Sequence, residues 1–106
     1  MTTLSTHVLD IERGVPAVDV AIAVYREREC IAAARTNEDG RVPDLARLEA
    51  GAYRIEFDAA GYFAARGVQS PFLRRVSLEF QVDANARHYH LPLLLSPYAC
   101  TSYRGS

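Results

Sequence analysis

The sequence predicts an all-β fold, an antiparallel β-sandwich that carries one short α-helix. Apolar and polar residues alternate with a period of two in several segments, which is typical of strands packed on one face. Turn-forming residues separate these segments at regular intervals, as the strands of a sandwich or barrel require. A single Ala-rich stretch departs from the alternation and indicates a short helix.

The alternation predicts four main strands and one shorter strand. In the first strand Leu4, Thr6 and Val8 share one face, and Ser5, His7 and Leu9 share the other. The other three main strands cover residues 18–25, 53–58 and 76–81. A shorter strand over residues 30–36 is expected to pair with the second strand through a turn near Glu27.

Breaks in the pattern fall between the predicted strands. Gly14-Val15-Pro16, residues 37–40 and residues 67–71 are turn signals, and Gly51 opens the strand at Tyr53. Residues 58–66 form the predicted helix, with Asp58 as its cap and Gly67 as its stop. Gly61 in the middle of this helix costs about 1 kcal/mol of helix propensity.

Size and composition predict one domain spanning residues 1–106, of which 49% are hydrophobic. The net charge of -1 argues against nucleic acid and anionic membranes as partners. No apolar run approaches the roughly 20 residues of a membrane span, and residues 1–10 do not resemble a secretory signal. We therefore expect a cytoplasmic protein in which Cys30 and Cys100 are reduced, partly buried thiols.

Three histidines and one arginine are the candidates for chemistry. His88 and His90 share a strand face, so they could bind a metal or supply an acid and a base, and His7 lies on the first strand. Arg41 leaves a tight turn and could polarise a carbonyl or carboxylate oxygen, although a solvated arginine is the more common case. The sequence has neither a Gly-rich phosphate loop nor a Gly-x-Ser-x-Gly elbow, which leaves a His-activated water as the hydrolytic option.

The C-terminal segment is the least ordinary part of the chain. Pro92 and Pro97 bracket an apolar run, which predicts an edge strand and an oligomer interface. Tyr103, Arg104 and Ser106 then form a dense polar cluster at the end of the sequence.

Four motifs of this chain together resemble the transthyretin-like family, in its 5-hydroxyisourate hydrolase branch. They are the opening Leu4-Ser5-Thr6-His7-Val8-Leu9-Asp10 with Gly14-Val15-Pro16-Ala17, the turn Asp39-Gly40-Arg41, the run from His88-Tyr89-His90 to Ser96-Pro97-Tyr98, and the terminal Tyr103-Arg104-Gly105-Ser106. The resemblance covers the full length of the chain. One departure is Cys100, which replaces an aromatic residue of many relatives and puts local packing in doubt.

This resemblance implies a transthyretin-like sandwich of two four-stranded sheets with one short helix. It also implies hydrolysis of 5-hydroxyisourate to 2-oxo-4-hydroxy-4-carboxy-5-ureidoimidazoline, on the route from urate to allantoin, with no cofactor and no metal. The implied assembly is a homotetramer, a dimer of dimers, with active sites between the dimers. The implied site residues are His7, Arg41 and His90 for catalysis, and His7, Arg41, Tyr103 and Ser106 for substrate binding.

Two other functions compete with hydrolysis. The first is a non-catalytic tetramer that carries a small ligand in its central channel. The second is a metal site built from His7, His88 and His90.

Overall fold

A computed structural model describes residues 1–106, which form nine strands and one helix. In chain order these are β1 (Thr2–Asp10), β2 (Val15–Pro16), β3 (Ala21–Arg26), β4 (Glu29–Arg35), β5 (Arg41–Leu48), β6 (Gly51–Phe57), α1 (Ala59–Ala65), β7 (Val76–Val82), β8 (His88–Leu95) and β9 (Cys100–Ser102). The helix is seven residues long, and no helix combines the length and the apolar character that crossing a bilayer would need.

The strands form two sheets. One has the order β4-β3-β6-β7 and is antiparallel throughout. The other has the order β2-β1-β8-β9, with β5 also paired to β1. Since β5 pairs with the first part of β1 and β2 with its last two residues, both lie along the same edge of β1.

The hydrophobic core lies between the two sheets and under the helix. It consists of 20 buried residues, most of them contributed by both sheets and α1. Leu4 and Val8 of β1, Leu93 of β8 and Ile55 and Phe57 of β6 are all completely buried. The predicted core face of β1 is therefore confirmed, and His7 lies on the opposite face.

The helix is joined to β1 by a buried hydrogen bond. The Tyr62 hydroxyl donates to Oδ2 of Asp10 at 2.8 Å, and the backbone N–H groups of Glu12 and Arg13 donate to Oδ1 of the same carboxylate. Asp10 is fully buried. Burial, the hydrogen bond to Asp10 and the Asp10 charge raise the pKa of Tyr62 to about 12, so this phenol stays protonated and keeps donating.

The predicted sandwich with one short helix is confirmed, including the Asp58 cap, whose side chain accepts from the Gly61 N–H. A Cβ at Gly61 would collide with the Asp58 carboxylate, so a larger residue here would displace the cap. The sheet of β1 has five strands, because the two-residue β2 joins the four longer ones.

Other expectations about the strands were wrong. The pairing of β1 with β8 is parallel, and β8 is not an edge strand, because β9 pairs with residues 93–95. β5 was not predicted. A bulge opposite Ser5 puts extra residues between the buried Val42 and Leu45, which removes the period of two.

Cys30 and Cys100 were expected to be partly buried, but both are exposed free thiols. Cys30 lies near the start of β4, an edge strand, and Cys100 lies at the start of β9, and both side chains face solvent.

Replacing Tyr62 by Phe should lower the free energy of unfolding by about 1–3 kcal/mol, because the buried Asp10 carboxylate loses a donor. Tyr53→Phe is the matched control, since the Tyr53 hydroxyl donates only to the neutral backbone carbonyl of Glu49. Urea denaturation of both variants measures the difference. If Tyr62→Phe costs no more than Tyr53→Phe, the buried hydrogen bond to Asp10 is not a special support of the fold.

Candidate active site

The candidate site lies on the outer face of the five-stranded sheet, where strand register brings distant residues together. In the β1–β8 pair Thr3 lies opposite His88 and Ser5 lies opposite His90, and in the β1–β5 pair His7 lies opposite Arg41. Paired positions point their side chains to the same face of a sheet. The predicted residues His7, Arg41 and His90 are thus on one face, together with His88.

His7 is half-buried beside Arg41. Burial lowers the pKa of His7, and the positive charge of Arg41 lowers this pKa further, while the backbone and the carboxylate of Asp39 act in the opposite direction. The net effect is a lowered pKa, so the imidazole is held neutral near pH 7.

His90 has the same electrostatic character. Burial lowers its pKa most, followed by the charges of Arg41, His7 and His88. A neutral imidazole can accept a proton, and a guanidinium nearby can stabilise a developing negative charge. The face therefore combines candidate bases with a candidate oxyanion donor.

Arg41 is positioned by the turn that precedes it. The Asn37 side-chain oxygen accepts hydrogen bonds from the backbone N–H groups of Asp39 and Arg41, at 2.9 and 3.0 Å. The Gly40 carbonyl in turn accepts from the Val8 N–H at 2.7 Å, which joins the turn to β1. Arg41 takes part in none of the four salt bridges of the chain, so its guanidinium is available to an external oxygen.

The C-terminal tetrapeptide lies along β8. The Gly105 N–H donates to the His90 carbonyl at 2.7 Å. Arg104 places its guanidinium 4.2 Å from the centre of the Tyr89 ring and also donates to the His88 carbonyl. The end of the chain is thus held against the strand that carries His88 and His90.

Gly105 contacts the His90 ring directly. A Cβ added at Gly105 would lie 2.7 Å from Cδ2 of His90, so only glycine allows this approach. On the other side of the ring, Nδ1 of His90 lies 2.8 Å from the Ser5 hydroxyl oxygen. Ser5 therefore engages Nδ1 of the ring, Gly105 lies close to Cδ2, and Nε2 is the nitrogen without a protein partner.

The last two predicted residues, Tyr103 and Ser106, have different surroundings. Tyr103 is 58% exposed and lines a cavity of about 340 Å³ together with His90, Arg104 and Phe80 of β7. Ser106 is exposed and follows Gly105. Tyr103 thus shares a cavity with His90, and no hydrogen bond joins Tyr103 or Ser106 to His7 or Arg41.

Sequence reasoning missed Thr3, Ser5 and Gly105. Thr3 and Ser5 have the same phase as His7, which is the one signal that could have placed them on the site face. No group of three or more His, Cys, Asp and Glu side chains is arranged to hold a metal ion. Both ring nitrogens of His88 lie instead within hydrogen-bonding distance of hydroxyls, those of Thr3 and Ser5.

The chain is similar over its full length to proteins of known name. The chain is 43% identical to a protein of Pseudomonas aeruginosa called 5-hydroxyisourate hydrolase, over 100% of this chain and 93% of that protein. It is 38% identical to a protein of the same name from Mus musculus, over 97% of this chain and 94% of that protein.

Solved structures show the same likeness. The structure of Klebsiella pneumoniae 5-hydroxyisourate hydrolase has a TM-score of 0.92 and 40% identity, covering 100% of both chains. Sea bream transthyretin in complex with thyroxine has a TM-score of 0.90 and 32% identity, covering 97% of this chain and 94% of that one. The family model described as HIUase/Transthyretin matches residues 4–105. This chain therefore belongs to the HIUase/transthyretin family.

Proposed function

We propose that this chain is a hydrolase that converts 5-hydroxyisourate to 2-oxo-4-hydroxy-4-carboxy-5-ureidoimidazoline, in the degradation of urate to allantoin. The observation that carries the proposal is the placement of His7, Arg41 and His90 on one sheet face. Full-length similarity to proteins called 5-hydroxyisourate hydrolase supports the choice of substrate. The reaction needs only proton transfer and charge stabilisation, so the proposal includes no cofactor.

The reaction opens a cyclic amide. The oxygen of a water molecule attacks the ring carbonyl carbon, and a neutral imidazole takes the proton that the water releases. The carbon–nitrogen bond then breaks, and the leaving nitrogen takes up a proton, so the sum is the addition of one water. His7 and His90 are the proposed groups that position and deprotonate this water.

Arg41 stabilises the negative charge that develops on the carbonyl oxygen and orients the flat heterocycle. A planar guanidinium with several N–H donors suits an oxygen-rich ring. Tyr103 and Ser106 are the proposed substrate-binding hydroxyls at the chain end. Support for them comes from the shared cavity of Tyr103 and His90, and from the contact between Gly105, which precedes Ser106, and the His90 ring.

The runner-up function is a non-catalytic tetramer that binds a small ligand. The likeness to sea bream transthyretin in complex with thyroxine favours it. The polar face of histidines and Arg41 argues against it, because a pocket for a hydrophobic ligand would carry mostly apolar residues.

We further propose that the chain acts as one domain in a homotetramer, a dimer of dimers, with sites between the dimers. The candidate site lies on an open sheet face, and ligand sites usually enclose most of their ligand. Phe72 and Tyr98 are 70% and 66% exposed and stack on each other at 6.5 Å, which supports their burial by another subunit. The exposed thiols Cys30 and Cys100 fit a reducing compartment such as the cytoplasm.

Adding the protein to freshly oxidised urate should speed the loss of 5-hydroxyisourate absorbance well above the spontaneous rate. A chain lacking residues 103–106 should lose most of this acceleration, because the backbone support of His90 and the terminal hydroxyls are removed. If 5-hydroxyisourate decays at the spontaneous rate in the presence of the wild-type protein, the ligand-binding function is favoured. Circular dichroism of the shortened chain checks that it still folds.

The pH dependence of kcat/KM should show an acid limb centred below 6.5. The pKa values of His7 and His90 are both lowered, so these bases stay neutral until the pH falls below the ordinary range of histidine. The same shifts make stability fall as pH drops below 6.5, because the unfolded chain binds these protons more tightly. An acid limb centred above 6.5 would contradict the proposed neutral bases.

His90→Asn should lower kcat by about 100-fold or more, the usual contribution of a general base. His7→Asn, measured in parallel, tests whether the two histidines have separate roles. Full turnover by His90→Asn would remove His90 from proton transfer.

Phe72→Ser should shift the protein to a smaller species in light scattering, because a serine cannot replace an aromatic ring in a subunit contact. Ile31→Ser is the control, since Ile31 is also exposed but lies on β4, away from the Phe72–Tyr98 pair. A Phe72→Ser variant with the mass of the wild type would count against this contact.

A further inference from the structure

A continuous chain of hydrogen bonds runs from Thr3 to His90 across the β1–β8 pair. The Thr3 hydroxyl oxygen lies 2.6 Å from Nδ1 of His88. The Ser5 hydroxyl oxygen lies 2.9 Å from Nε2 of His88 and 2.8 Å from Nδ1 of His90. Each contact follows from the strand register, which pairs Thr3 with His88 and Ser5 with His90.

The Ser5 hydroxyl has one proton to donate, so this chain of hydrogen bonds has two polarities, which differ in the direction of donation. In one polarity Nδ1–H of His90 donates to Ser5, and Ser5 donates to Nε2 of His88. In the other, Nε2–H of His88 donates to Ser5, and Ser5 donates to Nδ1 of His90. Passing from the first polarity to the second removes the proton from Nδ1 of His90 and adds one to Nε2 of His88.

The surroundings of His90 set the direction of this transfer. Ser5 engages Nδ1 of its ring, so Nε2 is the nitrogen left to meet a water molecule. A second ring proton would give His90 a positive charge, and this charge would lie beside Arg41 and His7 on a half-buried ring. His88 is exposed, so water can solvate an imidazolium there.

We propose that Ser5 and His88 are positioning residues that act through His90 and relay the proton taken from the attacking water. The water proton binds Nε2 of His90, the Nδ1 proton of His90 passes to Ser5, and the Ser5 hydroxyl proton passes to Nε2 of His88. His90 ends neutral with its proton on Nε2, and His88 becomes an imidazolium. The hydroxide that remains of the water is now bonded to the carbonyl carbon. Returning the protons resets the chain and protonates the leaving nitrogen.

This inference rests on the proposed hydrolysis. Charged or titratable groups near the relay include His7 of β1, Arg41 and Arg47 of β5, Arg104, and Tyr103, which lines the same cavity as His90. Arg47 lies opposite Thr3, and the Arg104 guanidinium contacts the His88 carbonyl. Relaying the proton moves the positive charge from the half-buried His90 beside Arg41 to the exposed His88, where water screens the charges of the exposed Arg47 and Arg104.

The first test is independent of turnover. Nitrogen-15 NMR of the imidazoles reports which nitrogen of His90 carries the proton. In the wild type the His90 signals should be those of an Nδ1 hydrogen bonded to a hydroxyl, and Ser5→Ala should change them. Unchanged His90 signals in Ser5→Ala would overturn the inference even if the protein hydrolyses 5-hydroxyisourate.

The second test is kinetic. Ser5→Ala and His88→Gln should each lower kcat about 10- to 100-fold with little change in KM, because the base remains in place but cannot pass its proton on. Glutamine keeps a hydrogen-bonding group near Ser5 without accepting a proton, so it separates relay from positioning. Ser5→Thr, which keeps the hydroxyl, should recover most of kcat.

Thr6→Val is the matched control. Thr6 lies on the same strand and donates a buried hydrogen bond to the Leu91 carbonyl of β8, but on the core side of the sheet. Its loss should reduce stability and leave kcat near the wild-type value. A His88→Gln variant with wild-type kcat would overturn the relay, and it keeps the inference testable if Ser5→Ala does not fold. A wild type that does not hydrolyse 5-hydroxyisourate would instead refute the proposed function, whatever the NMR result.

Discussion

The parallel pairing of β1 with β8 is the constraint on which the rest of this structure depends. Eight consecutive residues of each strand are in register, from Thr3 with His88 to Asp10 with Leu95. This register directs Leu4, Val8 and Leu93 into the core and turns His7, Ser5 and His90 to the outer face. A slip of one residue would exchange the two faces of a strand. Core packing therefore fixes the site geometry as well as the stability.

The site face also shows how electrostatics and burial work together. The proposed reaction uses Arg41 as a cation, and the charge of Arg41 is close enough to oppose protonation of both His7 and His90. The same arrangement thus keeps the two candidate bases neutral and places a positive group where the proposed reaction would develop an oxyanion. No carboxylate forms a salt bridge with Arg41. Such a salt bridge would weaken both effects.

Much of the fold follows from local patterns in the sequence. The alternation around Ile22, Ile55 and Leu78 identifies three strands of the antiparallel sheet, and Asp58 marks the start of the helix. β5 has no such alternation, because its bulge places the buried Val42, Leu45 and Leu48 three residues apart. A pattern with a period of two does not reveal a strand with an irregularity of this kind.

The candidate site was predictable only in part. Resemblance to a family singled out His7, Arg41 and His90, but the period of two gives a face and says nothing of which strands are neighbours. Ser5 looks like an ordinary polar residue on the outer face of a strand until β8 is placed beside it. The backbone contact of Gly105 with His90 likewise depends on a chain end that local patterns cannot position.

The β1–β8 pairing also has a consequence for how the chain folds. Ser5 and His90 are 85 residues apart in sequence, so the central pair of this sheet closes a loop that includes most of the chain. Contacts of such long range slow folding, because the entropy of loop closure is lost before the contacts form. During synthesis β1 emerges well before β8, so it has no β8 to pair with until the residues between them have been added. Until then the apolar face of β1 and one of its edges stay open to pairing with other chains.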